Sequence, residues 1–309
     1  MGRTLEPRNA VLGRMITVNS HIEYHRPSSL MEACSLLSEL GPDAAPRAGG
    51  TDVLVDLHRG ATCPVHLVSL SGIRELDHIT VQKGMLRMGA LVTPNRIGTS
   101  EEVRVGRPEL LDAVGGFGTP QVRNRATLGG NLCTAASCGD LPPLLVALGA
   151  RAILVGLERS RELPLEDLFL DHRRTALLSG EILREVTVPL RGPGEGAGYE
   201  TFGRRAANFI TVAGVAVWLR LEGDSCAAVR VALGAVSPTP VRAPEAEGVL
   251  VGSRLEEEVV REAAMAARRA AVPISDVRGS AEHRRELVEA LMARAVEKAR
   301  ERAGKGAAG

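Results

Sequence analysis

The chain has 309 residues and a formal net charge of +1, so it lacks the basic excess that is typical of nucleic-acid-binding proteins. Hydrophobic residues make up 44% and charged residues 24%, which suits a globular protein whose core must be aliphatic, because only 2% are aromatic. No apolar run reaches the length of a membrane span. Residues 1–15 are predicted to be a disordered extension, and Met15 is an alternative start to Met1.

The first predicted elements lead to a glycine turn. Residues 16–24 are predicted to form a strand, and residues 30–40 a helix that ends at Gly41-Pro42. The turn Gly49-Gly50 then lies between apolar segments at 45–48 and 53–57. A strand followed by a glycine turn and a short helix is a common arrangement at sites where backbone N–H groups bind phosphate. The turn lacks the G-x-G-x-x-G dinucleotide pattern, which disfavours a Rossmann fold.

A second glycine turn, Gly129-Gly130, lies in the middle of the chain. The intervening predicted elements are strands at 65–70, 79–82 and 85–90 and a helix at 108–114; a helix at 144–148 and strands at 152–156 and 181–190 follow the turn. Glycine can take positive φ, so each turn is predicted to aim several backbone N–H groups at one anion, as a backbone nest. The two nests together are predicted to hold one diphosphate.

The segment Arg191–Gly198 contains four glycines and a proline, which predicts a flexible boundary. After it, strands are predicted at 199–204, 211–221 and 227–236, followed by helices at 255–271 and 281–302. This half is therefore predicted to be a small α+β domain with a three-stranded sheet. Residues 303–309 are predicted to be a disordered tail.

Metal ligands do not form a recognisable pattern in the sequence. The five cysteines form no C-x-x-C pair, and their odd number and irregular spacing favour the reducing cytoplasm. Cys133 and Cys138 flank the turn before Asp140; two small, partly buried side chains are favoured over a metal site, which usually needs four ligands. Only His21 and His25 stand four residues apart, and their segment is predicted to be a strand, so we interpret them as incidental and predict no metal site.

Several stretches in order resemble one family. Residues 16–302 are similar to the FAD-binding medium subunit of molybdenum hydroxylases, the group that includes xanthine dehydrogenase and aerobic carbon monoxide dehydrogenase. The resemblance is carried by RAGGTD at 47–52, QVRNRATLGGNL at 121–132, DLPP at 140–143, TAL at 175–177, GEIL at 180–183, FGRR at 202–205, PVRA at 240–243 and RGSAEHRR at 278–285.

The resemblance implies a two-lobed, PCMH-type FAD-binding domain at 16–192 and a smaller C-terminal domain at 199–302, with FAD bound non-covalently. It implies that two loops hold the diphosphate, that Asp140 accepts hydrogen bonds from sugar or ribityl hydroxyls, that Ile182 and Leu183 lie against the flavin ring, and that Phe117 lies beside the cofactor. The implied cofactor-binding residues are Arg47, Ala48, Gly49, Gly50, Thr51, Asp52, Phe117, Thr127, Gly129, Gly130, Asn131, Asp140, Ile182 and Leu183. No catalytic residue is implied.

Simpler structural interpretations stay open at several of these positions. Asp140 is also placed to cap the following helix, although cofactor binding is favoured there, and Phe117 suits the core equally well. Ile182 and Leu183 suit plain strand packing. The pair Arg204-Arg205 suits either a solvated strand end or a contact near the flavin or another subunit.

Two positions depart from the family pattern. Thr201 stands where family members often carry lysine, and Asn208 where aspartate is common. A lysine near the flavin would stabilise negative charge on the reduced ring, so Thr201 leaves the flavin potential open. The chain also lacks the four-cysteine insertion of the 4-hydroxybenzoyl-CoA reductase type, which excludes that subtype.

The function implied by the resemblance is electron transfer within a complex. Substrate would be oxidised at a molybdenum cofactor in a large partner chain, and electrons would pass through [2Fe-2S] clusters of a small partner to this FAD and on to NAD, oxygen or a quinone. The implied assembly is a heterotrimer that dimerises in the cytoplasm, with molybdopterin and iron–sulfur clusters only in the partner chains. The alternatives are a free-standing FAD-dependent oxidoreductase of the same fold and a scaffold subunit without flavin.

Overall fold

The first lobe is built on a small parallel sheet. The computed structural model describes residues 22–205 and 210–305, so the predicted features at 1–21, Asn208 and 306–309 lie outside the described residues. The sheet has the strand order β1-β3-β2, with β1 at Glu23–His25, β2 at Ala44–Arg47 and β3 at His66–Ser69. Helix α1 (Leu30–Leu40) covers it, and helix α2 (Val53–His58) follows the first glycine turn.

Helix α1 shows how the sequence sets its own ends. The Ser29 side chain accepts a hydrogen bond from the backbone N–H of Glu32 at the start, and Gly41 takes a positive φ of 56° at the end. Between them Leu30, Ala33 and Leu37 are buried at helical spacing. The helix predicted for residues 30–40 is therefore confirmed.

The second lobe is an antiparallel sheet covered by short helices. Its strand order is β4-β5-β10-β6-β7. The strands are β4 (Ile79–Gln82), β5 (Met85–Gly89), β6 (Arg151–Val155), β7 (Ser160–Pro164) and β10 (Ile182–Pro189), with a separate pair β8 (Phe169–Asp171) and β9 (Arg174–Thr175). The helices are α3 (Pro94–Thr99), α4 (Glu101–Gly106), α5 (Leu110–Gly115), α6 (Pro120–Arg123), α7 (Leu128–Thr134) and α8 (Leu141–Ala147). Every residue of α8 is buried.

The C-terminal domain is an antiparallel sheet with helices on one face. Its strand order is β11-β12-β13-β14, and three helices follow. The elements are β11 (Glu195–Phe202), β12 (Ala213–Glu222), β13 (Ser225–Gly234), β14 (Val241–Arg242), α9 (Pro244–Leu250), α10 (Glu257–Ala270) and α11 (Ala281–Lys305). The α+β class with two lobes and a smaller second domain is confirmed. The sheet has four strands instead of three, because the two-residue β14 is too short to give a periodic pattern.

The glycine-rich boundary was wrongly predicted to be flexible throughout. From Glu195 onward it is strand β11, and helix α11 packs against its glycines. A Cβ atom on Gly196 would lie 2.1 Å from the carbonyl oxygen of Ala299, and one on Gly198 would lie 2.6 Å from that of Ala295. These glycines therefore permit a close strand–helix contact. Helix α11 also continues through residues 303–305, which were predicted to belong to a disordered tail.

Both domains share one core. Ala197, Tyr199 and Trp218 of the C-terminal sheet pack in the same apolar cluster as α8, while α10 and α11 cover the opposite face of that sheet. Asp112 of α5 accepts hydrogen bonds of 2.6 and 3.0 Å from Arg302 of α11. Of the helices in the described ranges, none combines the length and apolar character that a bilayer crossing requires.

Candidate functional site

The two glycine turns line one cleft between the lobes. The cleft has a volume of about 810 Å³, including its open mouth. Ten of the predicted residues line it: Ala48, Gly49, Gly50, Thr51, Asp52, Thr127, Gly129, Gly130, Ile182 and Leu183. The convergence that the sequence interpretation required is therefore present, although the turns are about 80 residues apart in the chain.

The two loops touch at Gly49. A Cβ atom there would lie 1.9 Å from the carbonyl oxygen of Arg125 and 3.1 Å from the Cα of Ala126. No side chain fits at this distance unless the backbones separate, so glycine is required for the close approach. Thr134, at the end of α7, also donates a 3.3 Å hydrogen bond to Asp52.

The first loop presents unused backbone donors. Among the described residues, the N–H groups of Gly49, Gly50, Thr51 and Asp52 find no hydrogen-bond acceptor. Gly50 has a φ of 85°, a left-handed conformation that bends the backbone around its amides. Arg47 supports the loop from the side, since its guanidinium donates a 3.1 Å hydrogen bond to the hydroxyl of Tyr24. The prediction of an anion-binding nest fits this loop.

The second loop differs from the predicted nest. The N–H groups of Leu128 and Gly129 donate to the carbonyls of Val92 and Ala90 at 2.8 Å, and that of Gly130 donates to the Thr127 hydroxyl oxygen at 3.0 Å. Neither glycine has a positive φ, because both are helical residues of α7. A Cβ on Gly129 would lie 2.7 Å from the Cβ of Ala90, so this glycine serves close packing.

Two polar groups of the second loop remain suited to a ligand. The Thr127 hydroxyl accepts from Gly130, which leaves its own hydrogen to donate. The Oδ1 atom of Asn131 is buried and has no hydrogen-bond partner among the described residues. A buried orphan oxygen costs about 1–3 kcal/mol, and a hydroxyl or amine donor of a ligand would relieve that cost. Asn131 itself does not line the cleft.

The rest of the cleft wall is mainly apolar. Ile182 and Leu183 begin strand β10, and Leu70, Leu91 and Leu177 complete the surface. Sequence reasoning missed these three leucines because each stands at a strand end or in a loop, where an apolar residue is indistinguishable from core. Glu181 also reaches the wall, but its carboxylate is held by Arg161 at 2.7 and 2.8 Å.

Arg47, Phe117, Asn131 and Asp140 are the four predicted residues that do not line the cleft. Phe117 is 7% exposed within the core of the second lobe, as the simpler interpretation required. Asp140 stands before α8 but makes no capping hydrogen bond, so the helix-cap interpretation is wrong. Its carboxylate instead accepts a 2.6 Å hydrogen bond from Thr211 of the C-terminal domain.

Asp140 makes the stability of the ligand-free chain depend on pH. Burial raises its pKa to about 6, although the hydrogen bond from Thr211 lowers it in part. Since the folded-state pKa lies above the ordinary value of 3.8, the carboxyl's stabilising contribution is complete below about pH 4 and is lost as the pH rises through about 6. We therefore expect Asp140→Asn to raise the free energy of unfolding above that pH by up to about 3 kcal/mol.

Urea unfolding at a series of pH values measures this effect. The asparagine keeps an oxygen for the Thr211 hydroxyl, so the two proteins differ mainly in the charge at position 140. The gain from Asp140→Asn should shrink steadily as the pH falls below about 6. A difference between the proteins that stays constant with pH would contradict the assignment.

The cysteines near the cleft are poor metal ligands. Cys133 lines the cleft, and burial raises the pKa of its thiol to about 12. Burial also raises the pKa of Cys138, with the Asp140 carboxylate adding to the effect. A metal ligand must be a thiolate, so these shifts favour the interpretation of two small buried side chains.

The fit of this site to a flavin dinucleotide agrees with comparisons to known proteins. Residues 20–191 match the FAD binding domain in molybdopterin dehydrogenase, and residues 197–299 match the CO dehydrogenase flavoprotein C-terminal domain. The carbon monoxide dehydrogenase medium chain of Afipia carboxidovorans is 34% identical over 281 residues, which cover 91% of this chain and 97% of the relative. The xanthine dehydrogenase FAD-binding subunit of Escherichia coli O157:H7 is 29% identical, with 91% and 97% covered.

A solved structure gives the same result in three dimensions. A chain of carbon monoxide dehydrogenase from Hydrogenophaga pseudoflava superposes with a TM-score of 0.89 at 34% identity, covering 91% of this chain and 98% of that chain. Family matches, relatives and fold thus agree over both domains. The chain therefore belongs to the family of FAD-binding medium subunits of molybdenum hydroxylases, and it is an oxidoreductase subunit whose cofactor is FAD.

Proposed function

We propose that this chain is the electron-transfer subunit of a molybdenum-containing hydroxylase or dehydrogenase. In this role it accepts electrons from [2Fe-2S] clusters of a partner chain and passes them to NAD, oxygen or a quinone. The observation that carries the proposal is the contact of the two glycine loops at Gly49 above a single cleft. This arrangement supports a dinucleotide site that is assembled from two distant segments within the matched FAD-binding domain.

The residues of the first loop would hold the negative end of the cofactor. The four unused N–H groups of Gly49–Asp52 supply donors for a diphosphate, and the Thr127 hydroxyl supplies one more from the opposite side. Asn131 and Asp140 do not line the cleft, so contact of either residue with the cofactor would require neighbouring side chains to move. The bound FAD supplies the redox chemistry, which the side chains of the chain do not have to perform.

The apolar wall of the cleft would keep water away from the bound cofactor. Leu70, Leu91 and Leu177, together with Ile182 and Leu183, would cover the apolar surface of the cofactor and exclude solvent from it. A low-dielectric wall strengthens the hydrogen bonds made by the amides and the Thr127 hydroxyl.

The assembly belongs to this proposal as well. Several relatives are called medium chains or medium subunits, which describes one component of a multi-subunit complex. We propose a large molybdopterin-binding partner and a small [2Fe-2S] partner, in a heterotrimer that dimerises. The five cysteines are all free, which supports a cytoplasmic complex.

One set of measurements distinguishes this proposal from its two alternatives, a free-standing oxidoreductase and a scaffold subunit without flavin. The purified chain should be yellow and inert toward substrates until its molybdenum and iron–sulfur partners are added, and reduction of its flavin should then follow substrate oxidation. A free-standing oxidoreductase would turn over substrate alone. A scaffold subunit would stay colourless after reconstitution with FAD, and either of these results would overturn the proposal.

A further inference from the structure

Three metal-ligating side chains meet on the sheet of the first lobe. Strand β1 runs parallel to β3, and Glu23 is paired with His66 in their register. Residues two apart on a strand project from the same face, so His25 shares the face of Glu23. The three ligand atoms are Oε2 of Glu23, Nε2 of His25 and Nδ1 of His66, and they all lie within 4.8 Å of one another.

Their separations suit a tetrahedral ion. The two imidazole nitrogens are 3.1 Å apart, and the Glu23 oxygen is 3.3 Å from His66 and 4.0 Å from His25. A tetrahedral Zn²⁺ with bonds of about 2.0–2.1 Å places its ligand atoms about 3.3–3.4 Å apart. The observed triangle therefore needs only small side-chain movements to surround one ion.

We propose that Glu23, His25 and His66 bind one Zn²⁺ ion, with water in the fourth position. Two imidazoles and a carboxylate are a ligand set that Zn²⁺ takes in proteins. The histidine side chains are about four-fifths buried, at 24% and 18% exposure, while Glu23 is 67% exposed, so the site opens to solvent on one side. The two ring nitrogens face each other at 3.1 Å, so one ion placed between them would be coordinated by both.

The ion would fasten the first strand to the sheet. β1 is only three residues long, and its partner β3 provides His66, 41 residues further along the chain. Tyr24 lies between the two β1 ligands and contacts Arg47, the residue that supports the first glycine loop. The site itself lies apart from the cleft and does not depend on the flavin. Sequence reasoning dismissed His25 because it was compared only with His21 on the same predicted strand, whereas His66 lies 41 residues further along the chain.

Metal titration of the full-length chain tests the proposal. After treatment with a chelator, the protein is titrated with Zn²⁺ by calorimetry and with Co²⁺ by visible absorption, because tetrahedral Co²⁺ has a distinctive spectrum. We expect one equivalent of either ion to bind and to raise the thermal midpoint. His25→Gln and His66→Gln should each weaken binding about 100-fold or more.

Matched variants separate this site from other ligands. His172→Gln removes an exposed histidine elsewhere, and Cys63→Ser removes the exposed thiol that precedes His66 in the chain. Both should bind the ion as the unchanged protein does, with the tetrahedral Co²⁺ spectrum retained. Absence of stoichiometric binding in the unchanged protein would overturn the proposal, as would equal affinity in His25→Gln and His66→Gln.

Discussion

Gly49→Ala is expected to weaken FAD binding about 100-fold or more, a loss of about 2.8 kcal/mol of binding free energy. The added methyl would lie 1.9 Å from the Arg125 carbonyl oxygen, a distance that no adjustment of a side chain can relieve. The two loops must therefore move apart, and the amides of 49–52 lose their position opposite Thr127. The dissociation constant is measured by quenching of flavin fluorescence on protein whose circular dichroism is native.

Gly248→Ala is the matched control for this change. Gly248 lies inside α9, and a Cβ there meets nothing within 4 Å, so the affinity for FAD should stay unchanged. Gly50→Ala provides a milder variant in the same loop as Gly49, because its Cβ would meet only the flexible side chains of Arg47 and Leu54, at 3.1 and 3.2 Å, although its φ of 85° is unfavourable for alanine. Unchanged FAD affinity in folded Gly49→Ala protein would show that the loop contact does not build the site.

Gly196→Ala is expected to destabilise the C-terminal domain by about 3 kcal/mol. Its Cβ would lie 2.1 Å from the Ala299 carbonyl oxygen and 2.5 Å from the Ala303 amide nitrogen, so strand β11 and helix α11 must separate. Trp218 is the only tryptophan of the chain, and its neighbour across the strand pair is Ala197. Its fluorescence during denaturant unfolding therefore reports on the affected sheet.

Gly304→Ala tests whether this effect is specific to the contact. Gly304 lies near the end of the same helix, where an added Cβ would meet nothing within 4 Å. Because alanine favours helix, the stability of this variant should be unchanged or slightly higher. A midpoint for Gly196→Ala that matches that of Gly304→Ala would show that the close strand–helix contact contributes nothing.

The sequence predicted the fold well where local patterns act alone. Helix α1 and the long strands β12 and β13 have strong periodicity, and the predicted elements coincide with them to within a few residues. The prediction of a flexible linker at Arg191–Gly198 was wrong because glycine is typical both of flexible linkers and of strands against which a helix packs closely. The four-stranded sheet was missed for a different reason, since β14 is stabilised by its pairing with β13 and not by its own sequence.

The sequence predicted which two loops line the cleft, but it did not predict the hydrogen bonds that their polar groups make. Both glycine loops line the cleft, but the N–H groups of Leu128 and Gly129 are paired with the carbonyls of Val92 and Ala90, 36 and 39 residues away, whereas those of Gly49–Asp52 find no acceptor among the described residues. The Asp140–Thr211 hydrogen bond joins residues 71 apart and likewise leaves no local signal. Contacts of this kind depend on the packing of the two lobes, which composition and spacing do not determine.

The structure of the chain with FAD bound is the most direct test of the two-loop site. We expect the diphosphate oxygens to lie about 3 Å from the amide nitrogens of Gly49–Asp52 and from the Thr127 hydroxyl oxygen. A diphosphate bound elsewhere on the chain, with the loops in contact but no phosphate between them, would contradict the account.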